Sequence, residues 1–104
     1  MHLHELTHLM DQFVRSKGWY EDNSPRPQTP RNIAVSLSIE TAEVLEHFQW
    51  SEKAANPEQL AGELADVALY LFQLAHLTQT DLEIAILQKL RENYRRTWDQ
   101  DQVK

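Results

Sequence analysis

An all-α fold, an antiparallel four-helix bundle completed by oligomerisation, is predicted by three observations. Apolar residues recur at helical spacing in four segments. Two of these segments open on a capping residue followed directly by proline. Only two glycines and four prolines punctuate the chain, and long stretches free of both favour helices over many short strands. The chain has 104 residues, enough for one domain (1–104, with a core of about residues 3–98) and too few for two.

The first helix is marked by Leu3, Leu6, Met10, Phe13 and Val14, at spacings that line one helical face. Gly18 sits where a glycine cap ends such a helix. Trp19–Thr29, with Pro25 and Pro27, then reads as a loop of eleven residues, long enough for a functional role in a compact domain. Thr29-Pro30 starts the second helix, threonine as cap and proline at the first helical position, running to about Gln49. At 100° per residue Ile33, Leu37, Val44 and Phe48 fall within about 60° of arc, with Val35 and Ile39 opposite. Asn56-Pro57, with Gln59 completing a capping box, starts a third helix that continues to about Leu77. It is apolar nearly all round and therefore central. Thr80-Asp81-Leu82-Glu83 reads as a further capping box and opens a fourth helix through about Trp98, after which Asp99–Lys104 is expected to fray.

Charge and composition exclude several functions. Ten Lys and Arg against sixteen Asp and Glu leave a formal net charge of −6, a poor match to long nucleic acid, whose binding rests on neutralising phosphates. A small phosphate ligand stays open, since a metal or a local basic patch can supply positive charge. Without cysteine there is no disulfide, thiolate metal site or thiol nucleophile. His2, His4 and Glu5 break any N-terminal apolar run of signal-peptide type. The apolar stretch Leu64–Leu77 contains Asp66, Tyr70, Gln73 and His76 and is too short for a bilayer. No membrane partner is expected, and a cytoplasmic setting is.

The chemistry-bearing pattern is Glu40-x-x-Glu43 on the second helix and Glu63-x-x-Asp66 on the third. Residues three apart on a helix point the same way. Glu40 lies only about 20° from Ile33 and so faces the apolar side. Nineteen residues separate Glu43 from Glu63, enough to end one helix, turn and return antiparallel with the four carboxylates converging. Such a group cannot stay ionised in a partly buried place without a cation. An all-oxygen donor set selects Mg²⁺, with Mn²⁺ as substitute. Solvated acids on amphipathic helices are the plain alternative. They would leave a non-catalytic, oligomeric helical interaction module.

The run Arg31–Trp50 followed by Glu63–Tyr70 resembles the all-α nucleotide pyrophosphohydrolase superfamily, and more narrowly its short MazG-like branch, which includes the dCTP pyrophosphatases. The motif E-x-x-E, a spacer, then E-x-x-D is present in order. Lys89-x-x-x-Asn93-x-x-Arg96 matches the final helix, and the likeness covers roughly residues 10–98. Thr97-Trp98 departs from the Tyr-Pro common in relatives, and the second domain of full-length MazG proteins is lacking.

The resemblance implies Mg²⁺-dependent hydrolysis of (deoxy)nucleoside triphosphates, dCTP included, to monophosphate and pyrophosphate, cleaning the nucleotide pool. It implies metal ligation by Glu40, Glu43, Glu63 and Asp66, in a homodimer or homotetramer with sites at subunit interfaces. Direct attack by water fits the residues, and Glu40, the most inward-facing acid, is assigned as the catalytic, water-facing carboxylate. Trp19, Trp50 and Tyr70 match positions that shape the base pocket, although aromatics also serve as core or interface. Lys89, Asn93 and Arg96 share one face of the fourth helix and would hold the triphosphate, or else complement the helix dipole. His4, His8 and His47 are expected to face solvent. Arg26 and Arg31 are left unassigned.

Overall fold

The computed structural model describes residues 2–96. Its helices are α1 (Leu3–Ser16), α2 (Pro30–Glu46), α3 (Pro57–Leu77) and α4 (Leu82–Arg95), with no strand among the described residues. The all-α class holds. The Thr97-Trp98 departure and the Asp99–Lys104 segment lie outside the described residues.

Local chemistry accounts for the helix ends. Gly18 takes φ 70°, its N–H donates to the Arg15 carbonyl at 3.0 Å and the Trp19 N–H to the Val14 carbonyl at 3.4 Å. This pair of bonds is the Schellman closure, which uses the left-handed backbone that glycine reaches without a Cβ clash. It turns the chain so that Trp19 meets Phe13 edge to face, centroids 5.7 Å apart. Thr29 caps α2 by accepting from the Asn32 N–H at 3.1 Å, with Pro30 at the first turn. Asn56 caps α3 in the same way from Gln59 N–H at 3.1 Å.

Two expected boundaries shift. The cap of α4 is Asp81 rather than Thr80: its carboxylate accepts from the Ile84 N–H at 3.1 Å. An ionised acceptor is the stronger partner for a free N–H at the positive end of a helix. The Thr80 hydroxyl instead meets that of Thr78 at 3.0 Å. α2 stops at Glu46 and continues only as tighter turns in which the N–H groups of His47, Phe48 and Gln49 bond three residues back.

α3 is the central helix, packed chiefly against α2 and also against α1. The α2–α3 pair is antiparallel: Gln28, just before α2, bonds Gln73 late in α3, while His47, just after α2, meets Glu63 early in α3. At 21 residues, α3 is long and apolar enough by length and composition to cross a bilayer, which corrects the shorter Leu64–Leu77 estimate.

The apolar core of a single chain is small. Among the described residues the buried apolar side chains are Met10, Val14 and Ile33. Val35 and Ile39, opposite Ile33 on α2, are exposed, as their spacing predicts, and so are Leu64, Leu69 and Leu71 on α3. α4 buries no residue, packs substantially on no other helix, and exposes Ile84, Leu87 and Leu90. The radius of gyration is 16.9 Å, well above the roughly 13 Å expected for a compact domain of this length. Helices α1 to α3 thus form a packed unit from which α4 extends.

The backbone at Gly18 supplies a direct check. A Cβ there meets nothing nearer than the Glu21 Cγ at 3.8 Å, so the cost of Gly18→Ala is conformational rather than steric. Urea denaturation should show it destabilised by about 1 kcal/mol, with Gly18→Asn closer to the parent.

Candidate active site

The antiparallel pairing of α2 and α3 turns Glu40-x-x-Glu43 and Glu63-x-x-Asp66 toward one another. Glu40, Glu43 and Glu63 are half-buried and Asp66 is exposed. Glu40 feels the other three electrostatically. Burial pushes its carboxyl above the ordinary 4.5, and the hydrogen-bonding approach of Glu43 and the charges of Glu43, Asp66 and Glu63 push it further. Its Oε2 atom is sealed from solvent with no hydrogen-bond partner among the described residues. A buried carboxylate oxygen without a donor is costly. The donor set is all oxygen, crowded with negative charge, and fits a hard divalent cation in kind.

The four acids are not, however, a finished ligand cage. Among the described residues no three His, Asp or Glu side chains stand close enough together to hold an ion. His47 explains part of this. Expected in solvent, it is buried, and its Nε2 meets the Glu63 carboxylate, leaving Nδ1 sealed and without a partner. His47 is seven residues beyond Glu40, on the same helical stripe. That periodicity is the signal that could have placed it beside the acids.

The acids adjoin a cleft of about 660 Å³ bounded by α1, the Trp19–Thr29 loop, α2 and α3, a volume typical of small-molecule sites. Asp66 belongs both to the acidic group and to the cleft wall. Phe13, Trp19, Leu69 and Tyr70 supply apolar and aromatic wall, with Met10, Val14 and Ile33 beneath. The Arg26 guanidinium sits 5.8 Å from the Trp19 ring centre, within cation–π range, and also lines the cleft. The long loop therefore carries both an aromatic face and a positive charge to the mouth of the site.

Of the residues expected to contact a nucleotide, Trp19 and Tyr70 line this cleft and the others do not. Trp50 is 90% exposed. It lies past the end of α2 and does not line the cleft. Lys89, Asn93 and Arg96 stay with α4, which extends away from the α1–α3 unit. Lys89 pairs locally with Glu92 at 3.4 Å. Within one chain the expected phosphate-holding face and the acids are therefore not brought together. His4 is exposed, as expected, 3.9 Å from Asp81.

The site also contains residues that pattern reading passed over. Gln73 is 3% exposed and lines the cleft. Its amide nitrogen donates to Gln28 Oε1 at 2.7 Å and approaches the Tyr20 hydroxyl at 3.4 Å. Glu63, Asp66, Tyr70 and Gln73 advance by three, four and three residues and so form one stripe along α3. Extending the acidic pair up that stripe would have found Gln73. Gln28 and Tyr20 come from the loop and had no periodicity to mark them.

The MazG-like family matches residues 35–103. The chain belongs to the MazG-like family. Human dCTP pyrophosphatase 1 is 31% identical over 103 residues, covering 90% of this chain and 58% of the relative. The Bos taurus protein of the same name is also 31% identical with the same coverage. This MazG-like chain thus spans 58% of the length of these curated relatives. A pyrophosphatase of known crystal structure from Archaeoglobus fulgidus is 32% identical, with a TM-score of 0.78 and 93% of each chain covered. The all-α architecture is therefore shared with a solved relative across nearly the whole domain.

The raised Glu40 pKa has a stability consequence with a definite sign. As pH rises through 4.5, the unfolded chain loses this proton while the folded chain keeps it. The folded state then binds more protons, so stability falls with rising pH until the folded-state value is passed. In metal-free buffer, Glu40→Gln should match the parent below about pH 4.5 and be the more stable at neutral pH. Thermal melts across that range give the comparison, and a variant less stable at neutral pH would contradict the assigned environment.

Proposed function

We propose that this chain hydrolyses (deoxy)nucleoside triphosphates to the monophosphate and pyrophosphate. The observation that carries the reading is the junction at Asp66, where four carboxylates from two facing helices adjoin an aromatic-walled cleft of nucleotide size. The names of the human and archaeal relatives, dCTP pyrophosphatase and pyrophosphatase, support it, and dCTP is the first substrate to try. Glu40, Glu43, Glu63 and Asp66 would hold the cation. Mg²⁺, or Mn²⁺ in its place, supplies charge neutralisation at the phosphates when bound.

The residues of the chain divide the remaining work. Trp19 and Tyr70 stack against the base, with Arg26 stiffening the Trp19 face and offering charge at the cleft mouth. A water oxygen bonds to the α-phosphorus, the bond from that phosphorus to the α–β bridging oxygen breaks, and its electron pair departs with pyrophosphate. The proton of the water passes to Glu40, whose carboxyl, raised by burial and by the neighbouring acids, holds a proton more readily than an ordinary glutamate. His47 holds Glu63 through Nε2 and so governs how that acid is presented.

Assembly belongs to the same proposal. Fully burying a large aliphatic side chain is worth roughly 1.5–3 kcal/mol, and Val35, Ile39, Ile84, Leu87 and Leu90 stand exposed in one chain. A second copy packed on these faces would cover them and bring Trp50, Lys89, Asn93 and Arg96 toward a neighbouring cleft. A homodimer or homotetramer is the proposed working form.

Incubation with a panel of nucleoside triphosphates and Mg²⁺ tests the activity. Monophosphate and pyrophosphate are the expected products, and orthophosphate released without added pyrophosphatase would contradict cleavage at the α-phosphorus. Glu43→Ala and Asp66→Ala should each lower turnover by more than roughly a hundredfold while circular dichroism stays helical. Full activity in both would sink the site assignment.

Light scattering at low micromolar concentration checks assembly. At least a dimer is expected, and an active monomer would leave the exposed faces without a role.

A further inference from the structure

Gln73 is the most deeply buried polar residue of the cleft, at 3% exposed, and a single backbone group decides which way its amide points. The Gln28 side-chain nitrogen donates to the Arg26 main-chain carbonyl at 2.7 Å. A carbonyl oxygen can only accept, so the NH₂ end of Gln28 must lie there and its Oε1 must lie at the other end. Gln28 Oε1 is 2.7 Å from the Gln73 amide nitrogen. Reversing Gln73 would set two carbonyl oxygens against each other at that distance.

The Tyr20 hydroxyl, 3.4 Å from the same nitrogen, takes the second amide hydrogen. Burial also pushes the Tyr20 pKa up, so its hydroxyl stays neutral and remains compatible with that role. Both Gln73 donors are thereby occupied. Its Oε1 accepts no hydrogen bond among the described residues. The cleft that Gln73 lines is the open space left to it.

We propose that Gln73 is a specificity-determining residue: its carbonyl oxygen, oriented through Gln28 by the Arg26 carbonyl, selects nucleobases whose edge carries an amino group. This rests on reading the cleft as the base site. An acceptor at the inner wall matches the exocyclic amino group of cytosine or adenine. It repels the carbonyl oxygen that uracil and thymine carry at the corresponding place, as in the cytosine–uracil pair. A site built around one hydrogen bond rejects the analogue that cannot make it, because the buried partner is left unpaired. Gln28 acts through Gln73 as a positioning residue. Its carboxamide holds the selector in one orientation rather than two.

The cytosine–uracil pair isolates the effect, because the two bases are nearly equal in size. Calorimetric titration of the full chain with dCMP and dUMP, beside turnover of dCTP and dUTP, supplies two independent readouts. The expected result is dCMP bound roughly ten- to a hundredfold more tightly than dUMP. In Gln73→Leu, similar in bulk and without an acceptor, the ratio should fall to within about threefold. Gln28→Met leaves Gln73 in place but releases its orientation, and should relax the ratio in the same direction. It also serves as the test if Gln73→Leu fails to fold. Equal affinities in the parent chain would overturn the proposal, as would a preference undiminished in a folded variant. Tighter dCMP binding with no hydrolysis of dCTP would remove the proposed activity and leave the selector standing. Hydrolysis of dCTP and dUTP with equal binding of their monophosphates would do the reverse.

Discussion

The antiparallel docking of α2 on α3 is the constraint on which the rest of the structure depends. It is held near both ends by polar contacts between side chains far apart in sequence, Gln28 with Gln73 and His47 with Glu63. Between those contacts the two helices keep a register in which two acidic pairs face one another. A buried amide or carboxylate stripped of its partner costs more than the bond itself contributes. The contacts therefore specify which register is allowed more than they add to stability.

The same register is electrostatically unfavourable by design of the site. Glu40 lies within the electrostatic reach of three other carboxyl groups, one of its carboxylate oxygens is enclosed without a donor, and its neighbours all favour the protonated form. Against this, one chain sets only three buried apolar side chains among the described residues. Such a chain gains from anything that binds the folded form alone, whether cation, ligand or second copy. Apolar and acidic faces both stand incompletely matched within the single chain.

The cleft shows how a loop without regular structure takes a defined conformation. The Schellman turn at Gly18 aims the chain, the Phe13 ring and the Arg26 guanidinium both contact Trp19, and the Arg26 carbonyl aligns Gln28. Each of these is a short-range contact. Together they bring an aromatic face, a positive charge and an oriented amide to one cavity beside Asp66. The helical architecture around this cleft is similar to that of a solved archaeal pyrophosphatase, at a TM-score of 0.78.

The sequence by itself determined the four helices, the Thr29 and Asn56 caps, the glycine closure at Gly18 and the exposed second face of α2. These depend on neighbours within a few residues, through periodicity and capping, and such interactions survive without knowledge of the rest of the chain. The acidic motif was legible for the same reason, because residues three apart on a helix must share a face. Only the tertiary structure decided that His47 turns inward to Glu63, that Gln73 points at Gln28 and Tyr20, and that Trp50 and the Lys89–Arg96 face stay clear of the cleft. A histidine or glutamine is polar in any environment, so its spacing reveals a direction but not the partner waiting there. That partner is supplied by a segment 16 to 53 residues away, and only the packing of helices brings the two within a hydrogen bond.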